Sequence, residues 1–235
     1  MSAIVDNIAD SFDLPIEGRQ ISQQRIVNEF ARLTQYATWP IIHLVYNFFY
    51  RLEIRGRENF SQLSGPFVIV ANHVDFYHSF VFRLVLGPIT PHLPLRFMAV
   101  TKFEWTSLNF LASIGIIDFV YSLFGVFTIV PGLGIDRNLK KAREIVKAEG
   151  NIVIYPEGKI NASGGIGQFK NGAAVLVKET GVPAIPVSFR LGRRNYWWRD
   201  LTVNVGKPLR IDRNNSVKKI TETFHKEVEG LYERR

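Results

Sequence analysis

Two apolar runs that end abruptly in polar residues constrain the fold of this chain more than any other feature. Residues 151–159, NIVIYPEGK, are apolar up to a turn that carries Glu157 and Gly158. Residues 67–71, FVIVA, are followed directly by an asparagine and His73. These runs predict two buried strands, each followed by polar side chains. Because α/β sheets bind their ligands at the carboxyl ends of the strands, we expect these side chains to form a site at that edge of the sheet.

Composition narrows the classes of protein and site. The 235 residues are 46% hydrophobic, which is enough for one substantial core, and the net charge of +8 favours partners that carry negative charge. The chain has no cysteine, which excludes disulfides, thiolate metal sites and an acyl-cysteine intermediate. The histidines and carboxylates show no metal-ligand spacing, so no metal is expected.

The alternation of strand-like and helix-like segments predicts an α/β fold. We expect a single domain with a mixed, mostly parallel sheet flanked by helices. Residues 1–19 are predicted to be a mobile leader, residues 20–52 an amphipathic helical hairpin divided near Pro40, and residues 53–235 the α/β domain. Strands are predicted near residues 53–56, 67–71, 96–101, 127–130, 151–155, 184–189 and 201–205, and helices at 136–148, 170–180 and 216–233.

Several segments have the composition of a lipid interface. The chain has 18 phenylalanines, an aromatic N-terminal hairpin, and a Trp197-Trp198 pair flanked by arginines. Residues 108–135 are the most apolar region, but Asp118 and three glycines interrupt it, which favours a buried or interfacial hairpin over a membrane-spanning helix. We therefore predict monotopic or peripheral attachment to a membrane through residues 20–52.

Four blocks in fixed order give the chain a resemblance to a known family. They are the Asn-His pair that ends in His73, GLGIDR at 132–137, YPEGKI at 155–160 and VPAIPV at 182–187. Together they resemble the N-H-x-x-x-x-D, G-x-x-x-x-R, F-P-E-G-T-R and V-P-x-x-P-V blocks of glycerolipid acyltransferases of the lysophosphatidic acid acyltransferase type. The resemblance covers roughly residues 68–207 and implies an acyltransferase-like α/β domain.

The resemblance implies that His73 is the catalytic base. A neutral imidazole suits the removal of a proton from a hydroxyl at neutral pH. The aspartate that would orient this histidine is replaced by His78, and the nearest carboxylate is Asp75. Either Asp75 or His78 is expected to orient the base, although Asp75 would also serve as a helix N-cap.

The other blocks imply a site for the acceptor. Arg137 is suited to gripping phosphate at a helix start, and Glu157 and Gly158 are expected at the acceptor pocket. Lys159 stands where the family has threonine, and Ile160 where it has arginine. Lys159 supplies only a point charge, so recognition of the headgroup is expected to differ from that of the family.

The expected function follows from the resemblance. It is transfer of a fatty acyl chain from acyl-CoA or acyl carrier protein, as co-substrate without a further cofactor, to the hydroxyl of a lysophospholipid in phospholipid biosynthesis. The favoured acceptor is 1-acylglycerol-3-phosphate, and the protein is expected on the cytoplasmic face of a membrane. The alternative is a weakly active or inactive lipid-binding protein that keeps the fold. Nucleic acid is not expected as a partner, because the charge is dispersed and no reading module occurs.

Overall fold

The computed structural model describes residues 16–75, 77–100, 121–130, 132–161 and 165–234. Its internal contacts divide the chain into two compact units. The smaller unit comprises Met1–Gln35 and Leu93–Ile152, and the larger unit comprises Tyr36–His92 and Val153–Arg235.

The larger unit contains most of the sheet. Its strands are β1 (Tyr50–Arg55), β2 (Val68–Ala71), β6 (Ala184–Arg194), β7 (Arg199–Val205) and the last two residues of β5 (Asn151–Ile154). Their order is β1-β7-β6-β2-β5, with β1 parallel to β7, β2 parallel to β6, and β6 antiparallel to β7. The β2 strand is buried along its whole length, as expected for a strand covered on both faces.

Helices cover the sheet of the larger unit. They are the short α2 (Val81–Val85), α4 (Gly172–Thr180) and α5 (Val217–Glu233). The α5 helix starts at Ser216, whose side chain caps it by accepting a hydrogen bond from the Lys219 amide. Its apolar face packs on β6, so the core of this unit lies between α5 and the sheet.

The smaller unit is built on β3 (Leu95–Val100) and β4 (Val126–Ile129), which pair in parallel. The α3 helix (Gly134–Lys147) buries Leu139, Ala142, Ile145 and Val146 on one face, at the spacing of an amphipathic helix.

The fold class and the positions of all seven strands are as predicted from the sequence. The sheet is mixed and mostly parallel with helices flanking it, and each strand lies within a few residues of its expected place. Residues 1–15, most of the predicted leader, and residues 101–120, which include the first part of the predicted apolar hairpin, lie outside the described residues.

The predicted N-terminal helical hairpin is wrong. The chain forms one continuous helix, α1 (Ile16–Phe49), which contains Pro40 and starts before the predicted boundary at residue 20. Proline removes one backbone hydrogen bond and favours a kink, but it does not by itself reverse the chain. A hairpin needs turn residues, and the Ala-Thr-Trp sequence before Pro40 has none.

No helix in the described part of the chain is both long enough and apolar enough to cross a membrane.

A glutamine side chain completes the backbone pairing of the smaller unit. Gln35 is buried, and its Nε2 donates to the Leu95 carbonyl at 2.7 Å and to the Phe124 carbonyl at 3.2 Å. Its Oε1 accepts from the Leu95 amide at 3.0 Å. The side chain therefore satisfies both backbone groups of Leu95 where β3 begins, which fixes α1 to this strand.

Gln35→Leu is predicted to destabilise the protein by about 3 kcal/mol, because it leaves buried backbone groups of Leu95 without partners at about 1–3 kcal/mol each. Urea unfolding measures the loss. Gln20→Leu, at an exposed position of the same helix, is the control and is expected to change stability by less than about 0.5 kcal/mol. Equal effects of the two substitutions would contradict the assigned role of Gln35.

Candidate active site

The site lies where β2 and β5 end, in the larger unit. The residue after β2, Asn72, is fully buried and acts as an extra rung of the sheet. Its Nδ2 donates to the Phe189 carbonyl at 2.9 Å, and its Oδ1 accepts from the Phe189 amide at 2.7 Å. Asn72 thereby locks the end of β2 to β6 and places His73 immediately beyond the last paired position.

Glu157 joins the loops that follow the two strands. It is buried, and its Oε1 accepts a hydrogen bond from the His73 amide at 3.0 Å. Its Oε2 accepts from the Gly167 amide at 3.2 Å, while the Asn161 amide donates to the His73 carbonyl at 2.7 Å. Charge-assisted bonds of this type are stronger than neutral ones, so Glu157 fixes the backbone of the histidine. This tethering role was not predicted from the sequence.

Tyr155 stacks on the His73 ring. The ring centroids are 4.2 Å apart and the planes are inclined by 14°. The Tyr155 hydroxyl shares a hydrogen bond of 2.8 Å with the Ser79 hydroxyl, and burial raises its pKa, so it stays protonated. The stack restricts the plane of the imidazole, a constraint that a hydrogen bond to a carboxylate supplies in the Ser-His-Asp triad.

The protonation state of His73 suits a base. Burial lowers its pKa below the ordinary 6.5, while the negative charge of Asp75 acts in the opposite direction. The imidazole is therefore neutral at pH 7. Its Nδ1 is buried and has no hydrogen-bond partner among the described residues.

His78 lies in an aromatic environment. Its ring packs edge-on against Tyr50, with centroids 5.7 Å apart, and contacts Phe189. Neither ring nitrogen has a hydrogen-bond partner within the described ranges. Burial, helped by the positive charge of Arg199, lowers its pKa to about 4. This geometry gives no support to the alternative in which His78 orients His73 through a hydrogen bond.

Asp75 is the carboxylate that interacts with the histidine. It is half-buried, and its charge acts on both His73 and His78. It also lines a cavity of about 730 Å³. The candidate base and its nearest carboxylate therefore share one cavity-bordering loop.

The cavity has mainly apolar and aromatic walls. One side is the C-terminal part of α1, and the other is the β6–β7 turn, residues 195–198. Its lining consists of Ile41, Ile42, Val45, Tyr46, Phe49, Tyr50, Asp75, Phe80, Arg194, Asn195, Tyr196, Trp197, Trp198 and Arg199. A few polar groups in an otherwise apolar cavity of this size are typical of a site for a small amphipathic ligand.

The predicted acceptor residues divide between the two units. Arg137 is exposed in the first turn of α3, in the smaller unit. Gly158 and Lys159 are exposed in the larger unit, and Gly158 has a φ of 65°, which favours glycine. A Cβ built on Gly158 would lie 2.7 Å from Nζ of Lys170. The sequence did not predict this second cation, since its position depends on Lys170 lying against the turn at Gly158.

The family is shown by comparison with known proteins. A model of the family described as Acyltransferase matches residues 51–190, which is more than half of the chain and includes both strand ends. The chain belongs to the acyltransferase family.

Sequence relatives agree with this acyltransferase assignment. The chain is 29% identical over 143 residues to the chloroplastic 1-acyl-sn-glycerol-3-phosphate acyltransferase of Brassica napus, which covers 60% of this chain and 37% of that protein. It is 25% identical over 196 residues to the 1-acyl-sn-glycerol-3-phosphate acyltransferase of Pseudomonas aeruginosa, which covers 83% of this chain and 68% of the relative. The chain thus spans little over a third of the length of the plant protein.

A solved structure shares the acyltransferase fold. The 1-acyl-sn-glycerophosphate acyltransferase of Thermotoga maritima superposes with a TM-score of 0.53 at 19% sequence identity. The match covers 99% of this chain and 90% of that one.

Acid is predicted to destabilise the protein through His78. The pKa of this side chain is about 4 when folded and returns to about 6.5 on unfolding, so the unfolded state binds protons more readily between these values. Above pH 6.5 this group leaves the free energy of unfolding at its full value. The free energy of unfolding is expected to be lower by about 3 kcal/mol at pH 4. Urea unfolding at a series of pH values measures the fall.

His78→Phe keeps an aromatic ring in the site and is expected to show a smaller fall in stability between pH 6.5 and 4. The control is His225→Gln in α5, a half-buried position outside the site, where the native ring packs against Phe169 and lies 3.7 Å from the Glu229 carboxylate. If His78→Phe and the unmodified protein lose the same stability over this range, His78 is not the group that titrates.

Proposed function

We propose that the protein transfers a fatty acyl chain from a thioester donor, acyl-CoA or acyl carrier protein, to the free hydroxyl of a lysophospholipid. The proposed acceptor is 1-acylglycerol-3-phosphate, the substrate after which the similar enzymes of Brassica napus and Pseudomonas aeruginosa are named. The observation that carries the proposal is a neutral, stacked His73 held at the end of β2, next to a carboxylate that borders an amphipathic cavity.

The proposed reaction is direct transfer. The His73 imidazole removes the proton of the acceptor hydroxyl as the oxygen attacks the thioester carbonyl carbon. The tetrahedral intermediate collapses, the carbon–sulfur bond breaks, and the thiolate leaves with the proton returned by the imidazolium. The chain has no cysteine and no G-x-S-x-G motif, so the residues offer no obvious nucleophile for an acyl-enzyme. Asp75 would stabilise the imidazolium by its charge.

A second candidate function is lipid binding without acyl transfer. It is favoured by the replacement of the expected aspartate with His78, and by a His73 Nδ1 that lacks a hydrogen-bond partner among the described residues. Saturable binding of lysophosphatidate by a protein that transfers no acyl chain from either donor would select this alternative.

The pH dependence of acyl transfer tests the roles of His73 and Asp75. Since only the neutral imidazole accepts a proton, the rate is expected to be full above the pKa of His73 and to fall as the pH drops through it. This acid limb is predicted to lie below pH 6.5, because burial lowers the pKa. Asp75→Asn removes a charge that raises this pKa and is expected to move the limb to lower pH.

The assay uses labelled acyl-CoA or acyl carrier protein, lysophosphatidate and lipid vesicles. His73→Ala is expected to reduce turnover by at least about 100-fold, the usual contribution of a general base. His225→Gln is expected to leave the acid limb in place. An acid limb that stays in place in Asp75→Asn would show that the charge of Asp75 does not act on His73.

We also propose monotopic attachment to a membrane, with the active site facing the cytoplasm. In the larger unit, α1 exposes Ile41, Leu44, Phe48 and Phe49 within its last three turns. The β6–β7 turn exposes Tyr196, Trp197 and Trp198, with Tyr196 87% accessible. Both segments line the same cavity, so one apolar surface would surround its mouth. Aromatic side chains beside arginines favour the interface of an anionic bilayer.

A backbone hydrogen bond closes the β6–β7 turn, in which the Asn195 amide donates to the Trp198 carbonyl at 2.8 Å. Two double substitutions, Trp197→Ser with Trp198→Ser and Phe48→Ser with Phe49→Ser, are each predicted to weaken binding to anionic vesicles at least tenfold. Vesicle flotation measures binding. The control is Ile89→Ser, at an apolar position that is 91% exposed and does not line the cavity. Undiminished flotation of both double variants would refute attachment through this surface.

A further inference from the structure

The cavity holds positive charge that a purely hydrocarbon site does not need. Most of its lining is apolar or aromatic, but Arg194 and Arg199 both contribute to it from the strands that flank the β6–β7 turn. An amphipathic ligand with an anionic group fits such a distribution, because its chain would lie against the apolar wall and its charge against the guanidinium groups.

Arg199 is held in place by the sheet. It is the first residue of β7, and its Cα pairs with Tyr50 of β1 on one side and with Arg194 of β6 on the other. Both neighbours also line the cavity. The backbone pairing therefore fixes the origin of the Arg199 side chain at the cavity wall, in contrast to a cation on a free loop.

The guanidinium of Arg199 has an unused donor. Its Nε is buried, and no acceptor among the described residues hydrogen-bonds to it. A buried N–H without an acceptor is unfavourable. Arginine is suited to phosphate because its planar fork of N–H groups matches two phosphate oxygens.

The charge of Arg199 lies near the catalytic loop. Its positive charge opposes protonation of His78, on which the negative charge of Asp75 also acts. Tyr50, the β1 partner of Arg199, packs edge-on against the same histidine. The cationic part of the cavity is therefore the part that adjoins the loop carrying His73 and Asp75.

We propose that Arg199, with Arg194 beside it, binds the phosphate of the acceptor, a glycerol phosphate monoester that carries one acyl chain. This assignment rests on the proposed acyl transfer and specifies how the acceptor is recognised. The phosphate is held at the start of β7, the acyl chain lies along the apolar wall of α1, and the free hydroxyl faces His73. Selectivity for a phosphorylated acceptor then comes from the β6–β7 hairpin.

The test compares two acceptors that differ only in phosphate. Lysophosphatidate and the monoacylglycerol with the same chain are assayed with wild type, Arg199→Gln and Arg199→Lys. Arg199→Gln is expected to raise KM for lysophosphatidate by about tenfold or more, the effect of losing a charge-assisted pair, and to leave KM for monoacylglycerol unchanged. Arg199→Lys is expected to lie in between, since lysine keeps the charge without the fork.

The matched control is Arg193→Gln. Arg193 is exposed in the same hairpin and does not line the cavity, so its loss is expected to change KM for neither acceptor. If Arg199→Gln raises KM equally for both acceptors, Arg199 has only a structural role and the proposal is overturned. A raised KM for acyl-CoA with an unchanged KM for lysophosphatidate would assign the arginine to the donor and also overturn it.

A binding measurement separates this proposal from the proposed function. Lysophosphatidate and monoacylglycerol binding is measured by equilibrium dialysis on His73→Ala, with and without Arg199→Gln. Loss of the preference for the phosphorylated lipid on adding Arg199→Gln supports the phosphate site, even if wild type shows no turnover and acyl transfer is rejected. An unchanged preference overturns the phosphate site, even if wild type is active.

Discussion

The carboxylate of Glu157 is the interaction on which the site depends. Two separate strands end in loops that have no regular pairing of their own, and one buried side chain accepts backbone N–H groups from both the His73 segment and the Gly167 segment. The backbone of His73 is thereby positioned independently of the groups that touch its ring. Glu157, which the sequence places at the acceptor pocket, also tethers the two loops. An amide in its place would present N–H to N–H at one end.

Side-chain amides extend the same principle to the sheet. Asn72 makes both hydrogen bonds of a strand residue with Phe189, and Gln35 does so with Leu95. In each case a side chain takes over where regular pairing stops, so buried backbone groups remain satisfied. Strand ends are usually the loosest part of a sheet, and at β2 this device makes the end rigid at the point where His73 begins.

The strands and the helices α3 to α5 could be predicted because their signals are local. A buried strand shows an apolar run, and α5 shows both a cap and a helical period. The N-terminal hairpin was predicted wrongly because Pro40 is an ambiguous signal that a long helix can absorb. The tether of Glu157, the stack of Tyr155 on His73 and the position of Lys170 over Gly158 were not predictable, since each joins residues 10 to 84 positions apart and leaves no periodic trace. The Asn-His motif identified His73 as a candidate, but its lowered pKa could not be predicted, because it depends on burial in the fold.

The stack of Tyr155 on His73 has a consequence for the geometry of proton transfer. A ring pressed face to face against another ring at 4.2 Å keeps its plane and has little freedom to swing between two rotamers. In the acyl transfer that we propose, one edge of the imidazole would then serve both steps, receiving the proton from the incoming alcohol and returning it to the departing sulfur. In the proposed transfer, nucleophile and leaving group would approach the same nitrogen within one turnover, which calls for both substrates to be bound together.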